Sequence, residues 1–399
     1  MDRYLLLALL ALVACLSAPG TARADLTLPP GFSKITLASG LADPTAMAYA
    51  PDGRLFVAEK AGRLRVITAG GSLLSAPVID ISDHVATQGD RGLLGIAVDS
   101  AYVSNHYVYL LYTHDTDQAN PMAEKTARLT RIEVLPNNAL AGPELVLLGT
   151  DATVPCPPPS NTSDCIPSSS DSHSIGTVRS DPDGTLWVGS GDGAEYNWTD
   201  ANSLRALDER SLAGKILHVD RAGRGLPGHQ FCPEQTINLD LVCTKLYAKG
   251  FRNPFRFHLR PGAGPIVGDV GWGLTEEIDA VGTGKSYGWP CYEGSEQAFN
   301  YRDMPECQAQ YELPHAPPVY TYPTSTAEAR WWPARATPAR AIPSPTAAPG
   351  SSATTSTAGS GSTTSWAISP STPTRTCARS RAAGRASTWR RRPRATLPM

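Results

Sequence analysis

Several features that mark common protein classes are scarce or missing. Helical periodicity is rare along the chain, and no second long apolar run follows the one at the N-terminus, so neither a helix-dominated fold nor a multi-span membrane protein is expected. Charge of one sign is also lacking. Lys and Arg number 35 against 37 Asp and Glu, a net charge of −2 that offers nothing global to nucleic acid. Glycine-rich Gln88-Gly89-Asp90-Arg91-Gly92-Leu93-Leu94-Gly95 has no Lys-Ser/Thr ending, which excludes a nucleotide phosphate loop. No tight cysteine pair faces a second Cys/His pair, which argues against structural zinc. After Glu328 there is no Asp, Glu or Lys at all.

What is abundant is punctuation. Gly and Pro stand at 35 each, which suits many short strands joined by tight turns. The chain opens with Met1-Asp2-Arg3-Tyr4, an uncharged run from Leu5 to Val13, and small residues at Ala22 and Ala24. That order predicts an export leader over 1–24, cut after Ala24, for a run too short to span a bilayer. The alternatives are a short core helix, or a lipobox at Leu12-Val13-Ala14-Cys15 that would anchor the protein through a lipid on Cys15. Export to the periplasm or exterior favours disulfides over thiols. Beyond Cys15 in the leader and Cys377 in the tail, six cysteines fall as Cys156/Cys165, Cys232/Cys243 and Cys291/Cys307, and local pairing is expected.

A phrase recurs. Ala46 to Ala58, around Pro51-Asp52-Gly53, matches Gly176 to Gly189, around Pro182-Asp183-Gly184, and Phe257 to Gly268 echoes it around Pro261-Gly262. Each reads as two alternating strands about a turn whose Pro presets φ, whose Asp caps and whose Gly tolerates positive φ. Further strands are expected at 63–68, 95–98, 108–112, 128–134 and 216–219. A β-sandwich fits that spacing, but a repeated hairpin favours a propeller, whose blades cover one another.

Four stretches hold residues with chemical potential. Gln88 to Gly95 is the first. In Asp171-Ser172-His173-Ser174-Ile175-Gly176 a histidine stands just before a repeat strand, placed to face a channel or to serve structure. Gly250-Phe251-Arg252-Asn253-Pro254 offers a guanidinium fork to a carboxylate or quinone oxygen, or is a surface turn. Gly268-Asp269-Val270-Gly271-Trp272-Gly273-Leu274-Thr275-Glu276-Glu277-Ile278-Asp279 combines carbonyls and carboxylates of the kind calcium takes, and Gly191-Asp192-Gly193-Ala194-Glu195 is a second such loop that turn chemistry also explains.

Taken in order, and with Ala213-Gly214-Lys215-Ile216-Leu217 and Ser286-Tyr287-Gly288-Trp289-Pro290, these motifs resemble the glucose/sorbosone dehydrogenase family over about Pro29 to Tyr322. The resemblance implies an all-β, six-bladed β-propeller that holds pyrroloquinoline quinone and calcium, and oxidises aldose sugars for an unknown electron acceptor. His173 is similar to the family's general base and Arg252 to the arginine that stabilises charge on the quinone. Asn253 and Gln88 match cofactor contacts. The carbonyls of Gly271 and Trp272 match the calcium ligands. Where many quinone-binding relatives have His-Gly-Pro, this chain has Val270-Gly271-Trp272, closer to hedgehog-interacting-protein-like propellers. A non-catalytic propeller that binds a protein or carbohydrate, or a calcium-dependent lactonase, are the alternative functions.

The propeller domain is expected over 25–323, and 324–399 outside it. The tail lacks the alternating apolar positions of a blade, and cannot offset backbone ordering of about 1–2 kcal/mol per residue. It reads as a disordered basic tail or, because the change falls in mid-domain, as a frame-shifted segment that leaves the propeller without its C-terminal blades.

Overall fold

The computed structural model describes residues 28–324 except 234–235, together with the backbone of Arg385–Arg391. The expected leader, Cys15 and nearly all of the expected tail lie outside the described residues. Among the described residues, 28–36 and 387–391 fall in one unit and 37–324 with 385–386 in the other. Strand β1 (Phe32–Ser39) pairs with the strand Arg385–Arg391.

In the second unit the strands form four antiparallel blades, so the propeller expectation holds against the sandwich, with four blades described where six were expected. Blade 1 runs β2 (Pro44–Tyr49), β3 (Leu55–Glu59), β4 (Arg63–Ile67) and β5 (Ile79–Asp80). Blade 2 orders β6 (Leu93–Val98), β7 (Tyr107–His114), β8 (Lys125–Glu133) and β10 (Ile166–Ser168), with β9 (Leu145–Leu148) also on β8. Blade 3 comprises β11 (Ile175–Ser180), β12 (Leu186–Ser190), β13 (Lys215–Val219) and β14 (Leu246–Lys249); β18 (Lys285–Ser286) joins it in parallel. Blade 4 has β15 (Arg256–Arg260), β16 (Ala263–Asp269), β17 (Thr275–Ala280) and β21 (Tyr320–Pro323). A small ribbon pairs β19 (Tyr292–Glu293) with β20 (Glu296–Gln297).

The recurring phrase proves to be the first hairpin of blades 1, 3 and 4. Gly53, Gly184 and Gly262 take φ of 86°, 88° and 69°, the left-handed region that L side chains adopt only with strain. The turn aspartates act locally: Asp52 accepts from Arg54 N–H at 3.1 Å and Asp183 from Thr185 N–H at 2.8 Å. In blade 2 a helical turn, Tyr102–Asn105, replaces the tight turn, so the phrase is absent there.

Alternation along these strands puts one residue set into each seam. Phe56, Leu64 and Val66 of blade 1 meet Leu93, Ile96 and Leu110 of blade 2. Tyr109, Leu111 and Leu129 of blade 2 meet Ile175, Val188 and Leu217 of blade 3, and Trp187, Ile216 and Ala248 of blade 3 meet Phe257 and Val267 of blade 4. Each fully buried side chain of this size contributes about 1.5–3 kcal/mol. At the inner edge Arg256 ties all four blades. Its Nη1 donates to the carbonyls of Leu94, Gly176 and Phe255 at 3.2, 2.8 and 3.3 Å, and its Nη2 donates to that of Thr45 at 3.1 Å. Among the described residues the disulfides are Cys156–Cys165, Cys232–Cys243 and Cys291–Cys307, as local pairing implied. They are compatible with an oxidising compartment. Among the described residues no helix is long and apolar enough to cross a membrane.

Candidate functional site

The hairpin of blade 3 builds the first half of the site. Ile175 is paired with Ser190, and the same register carried outward sets His173 against Asp192 beyond the strand ends. Gly191 N–H donates to Ser174 O at 3.1 Å and Gly193 N–H to His173 O at 2.9 Å, which closes the two chains together. A Cβ at Gly191 would run into the His173 carbonyl, so glycine is required there. His173 itself has φ 49°, and its N–H donates to Asp90 Oδ2 at 3.3 Å.

The imidazole is buried and its Nδ1 lies 3.0 Å from Asp192 Oδ1. Asp192 is fully buried, and also accepts from Ala194 N–H at 3.0 Å on Oδ1 and from Trp289 Nε1–H at 2.7 Å on Oδ2. Burial opposes its charge, but His173, Arg252 and the Ala194 N–H together hold its carboxyl below the ordinary value. An anionic Asp192 makes Nδ1 the donor, which leaves Nε2 as the base nitrogen of the neutral ring. Tyr196 lies edge-on to the imidazole at 6.4 Å between ring centroids.

The second half comes from the turn before β15. Arg252 O accepts from Asp192 N–H at 2.8 Å, so the two halves share a backbone contact. The side chain of Asp269, at the end of β16, receives Arg252 N–H at 2.9 Å and Asn253 N–H at 2.6 Å, which fixes both residues. Burial pushes Asp269 up to about 7 against those two donors. The Arg252 guanidinium lies over the Trp289 ring at 5.4 Å. Its Nη1 donates to Val270 O at 3.0 Å and Gly271 O at 2.8 Å. Among the described residues neither Arg252 Nε nor Asn253 Oδ1 has a hydrogen-bond partner, although both are buried. The unused Arg252 Nε–H, a donor on a fixed cation, suits an anionic ligand oxygen, whereas Asn253 Oδ1 is an acceptor and suits a ligand N–H or O–H.

The metal expectation fares differently. Glu293 Oε1 accepts the N–H groups of Trp272, Gly273, Leu274 and Thr275 at 2.7, 2.9, 2.8 and 3.1 Å, and this turns the loop's carbonyls away from it. Gly271 O accepts from Arg252, and among the described residues only Trp272 O of the expected pair has no hydrogen-bond donor. No group of three or more metal-ligating side chains occurs among the described residues. The donor set as placed does not fit a calcium ion at Gly271 and Trp272, because a guanidinium holds one carbonyl and the nearby carboxylate serves the N–H face. The acidic loop at Gly191 to Glu195, read as a possible metal holder, instead supplies the partner of His173.

Gln88 is exposed on the loop that lies against Asp171, where Asp90 N–H donates to Asp171 O at 2.7 Å. It is therefore near His173 in the chain's path, but its side chain makes no hydrogen bond among the described residues. Sequence reasoning missed the roles of Asp192, Trp289 and Glu293. Only Asp192 had a usable signal, its distance from the hairpin turn.

A family model for glucose/sorbosone dehydrogenase matches residues 41–332. Quinoprotein glucose dehydrogenase B of Acinetobacter calcoaceticus is 26% identical over 326 residues, 73% of this chain and 62% of that protein. The chain thus spans less than two thirds of that relative's length. A candidate oxidoreductase (glucose dehydrogenase) from Thermus thermophilus superposes with a TM-score of 0.54 and 26% identity, over 73% of each chain. The quinone-bound aldose sugar dehydrogenase of Streptomyces coelicolor superposes with a TM-score of 0.52 and 22% identity, over 74% of each chain, a likeness of fold. With all four described blades inside the matched span, the chain belongs to the glucose/sorbosone dehydrogenase family.

Proposed function

We infer that the chain is a pyrroloquinoline-quinone-dependent dehydrogenase of aldose sugars, with His173 as its base. The observation that carries the reading is the buried His173–Asp192 pair, joined through Arg252 O to a guanidinium with an unpartnered Nε. When bound, the quinone supplies the two-electron centre that takes the hydride from the sugar's C1. His173 Nε2 takes the proton of the anomeric hydroxyl, and the imidazolium that results is stabilised by Asp192 through Nδ1–H. Arg252 provides fixed positive charge for developing negative charge on the ligand, and the free amide end of Asn253 a further contact. Gln88 is proposed at the cofactor side on the family pattern alone. Tyr196, 48% exposed and edge-on to the His173 ring, offers an apolar face to a sugar ring near the base. No step is assigned to calcium.

Loading the purified protein with the quinone, in the presence of calcium, and following dye reduction with aldoses tests the reading. Turnover is expected. His173→Gln should lower kcat by about a hundredfold or more while quinone affinity stays within a few-fold; equal losses in both would make His173 structural. The second reading is a non-catalytic propeller, favoured by the occupied Gly271 carbonyl and by Trp272 where many relatives carry proline. It predicts neither quinone binding nor turnover, and lactone hydrolysis without quinone would replace both readings.

A further inference from the structure

One short segment touches both halves of the site without belonging to either. Trp289 is buried and donates its indole N–H to Asp192 Oδ2 at 2.7 Å, the oxygen that His173 does not use. Its backbone N–H donates to Gly250 O at 3.0 Å, two residues before Arg252, and its ring lies beneath the Arg252 guanidinium. Four residues on, Glu293 gathers the four N–H groups of Trp272 to Thr275 on one oxygen. Between them stands Cys291, fully buried and bonded to Cys307 in the helix Pro305–Tyr311. The Cys291 carbonyl accepts from Ala298 N–H at 2.8 Å and from Tyr311 Oη–H at 3.2 Å, so the segment is pinned on the side away from the site.

We propose that Trp289 to Glu293 is a disulfide-anchored clasp: Trp289 positions Asp192, and through it the His173 ring, while Glu293 holds the 271–275 loop on which Arg252 rests. These are positioning residues. The physical reason is directional. A buried carboxylate with one free oxygen can rotate, and a donor on each oxygen fixes the plane in which Nδ1–H must lie. Likewise four N–H groups aimed at one oxygen need an acceptor whose own place is set, and the Cys291–Cys307 link sets it. The charged and titratable groups facing His173 are Asp192, Asp90 on the neighbouring loop, Arg252 and Tyr196. The first part of the proposal rests on His173 being the base, but its test does not need turnover.

The test is NMR of the full chain labelled with 15N-histidine, with His173→Gln used to assign the ring. The unaltered protein should show a protected, strongly downfield Nδ1–H of His173, and so should Cys232→Ala/Cys243→Ala, which removes a disulfide remote from the site. Trp289→Phe and Cys291→Ala/Cys307→Ala should each weaken that signal. With Oδ2 deprived of its donor, the Asp192 carboxylate is free to turn out of the plane in which it meets Nδ1–H. Amide exchange at 272–275 should accelerate at least about tenfold in Glu293→Ala and in the double cysteine variant. Circular dichroism checks that each variant is folded; if the cysteine variant is not, Trp289→Phe and Glu293→Ala decide alone. An unchanged ring signal in folded Trp289→Phe, or unchanged exchange in Glu293→Ala, overturns the clasp. Absence of quinone turnover with the ring signal behaving as described would instead refute the dehydrogenase reading and leave the clasp standing.

Discussion

A buried imidazole accepts a proton usefully only when its tautomer is fixed, and at His173 Asp192 alone does that. Asp192→Asn would present an amide whose N–H₂ can face Nδ1 and stabilise the wrong tautomer, so kcat should fall by about 10³–10⁴ with the fold intact, measured by steady-state turnover beside thermal unfolding. Asp279 tells a second residue-scale story. Both its oxygens are buried without a partner among the described residues, and burial together with neighbouring Asp269 pushes it up to about 8. Its folded value lies above the unfolded one near 4, so the folded state holds the proton longer. Stability is then full below about pH 4 and declines as pH rises toward about 8. Asp279→Asn should flatten that decline by about 1–2 kcal/mol, read from denaturant unfolding at pH 5 and pH 8.5; an unchanged slope would place the titration elsewhere. His173 and Arg252 were singled out as candidates in the sequence through the order of motifs shared with the family, since each taken alone reads equally as structure. Asp192 was not, because Gly-Asp-Gly is also ordinary turn chemistry, and only the pairing register of β11 with β12 gives the carboxylate to the histidine.

Elements were most legible where one turn repeats. Pro-Asp-Gly announced the inner hairpins of blades 1 and 3, and Pro-Gly that of blade 4, since each needs a residue at positive φ. The ribbon β19–β20 and the parallel strand β18 were not legible, because two-residue strands carry no periodicity. Nor was Arg256, whose four carbonyl partners come from stretches up to 211 residues away. Arg256→Met should leave those carbonyls without their shared donor and cost about 2–4 kcal/mol, seen as a lower midpoint of denaturant unfolding. A loss below about 0.5 kcal/mol would mean that the apolar seams alone hold the blades together.

At the scale of the molecule, four blades bring the two halves of the site together: the hairpin of blade 3 supplies His173 and Asp192, and the turn into blade 4 supplies Arg252 and Asn253. Six blades were expected and four are described; residues 325–384 lie outside the described residues, and their Arg-, Ala- and Pro-rich composition gave no alternation to read. If that stretch is frame-shifted, translation of the codons after 323 in the other two frames should restore Gly, Tyr and Asp in blade rhythm. The central claim, that His173 is the base of a quinone-dependent sugar oxidation, is tested most directly by anaerobic stopped-flow mixing of the quinone-loaded chain with an aldose. The account predicts reduction of the bound quinone in a single turnover, slowed about a hundredfold or more in His173→Gln at equal loading; reduction at the same rate in both proteins, or failure of the unaltered chain to hold the quinone, would contradict it.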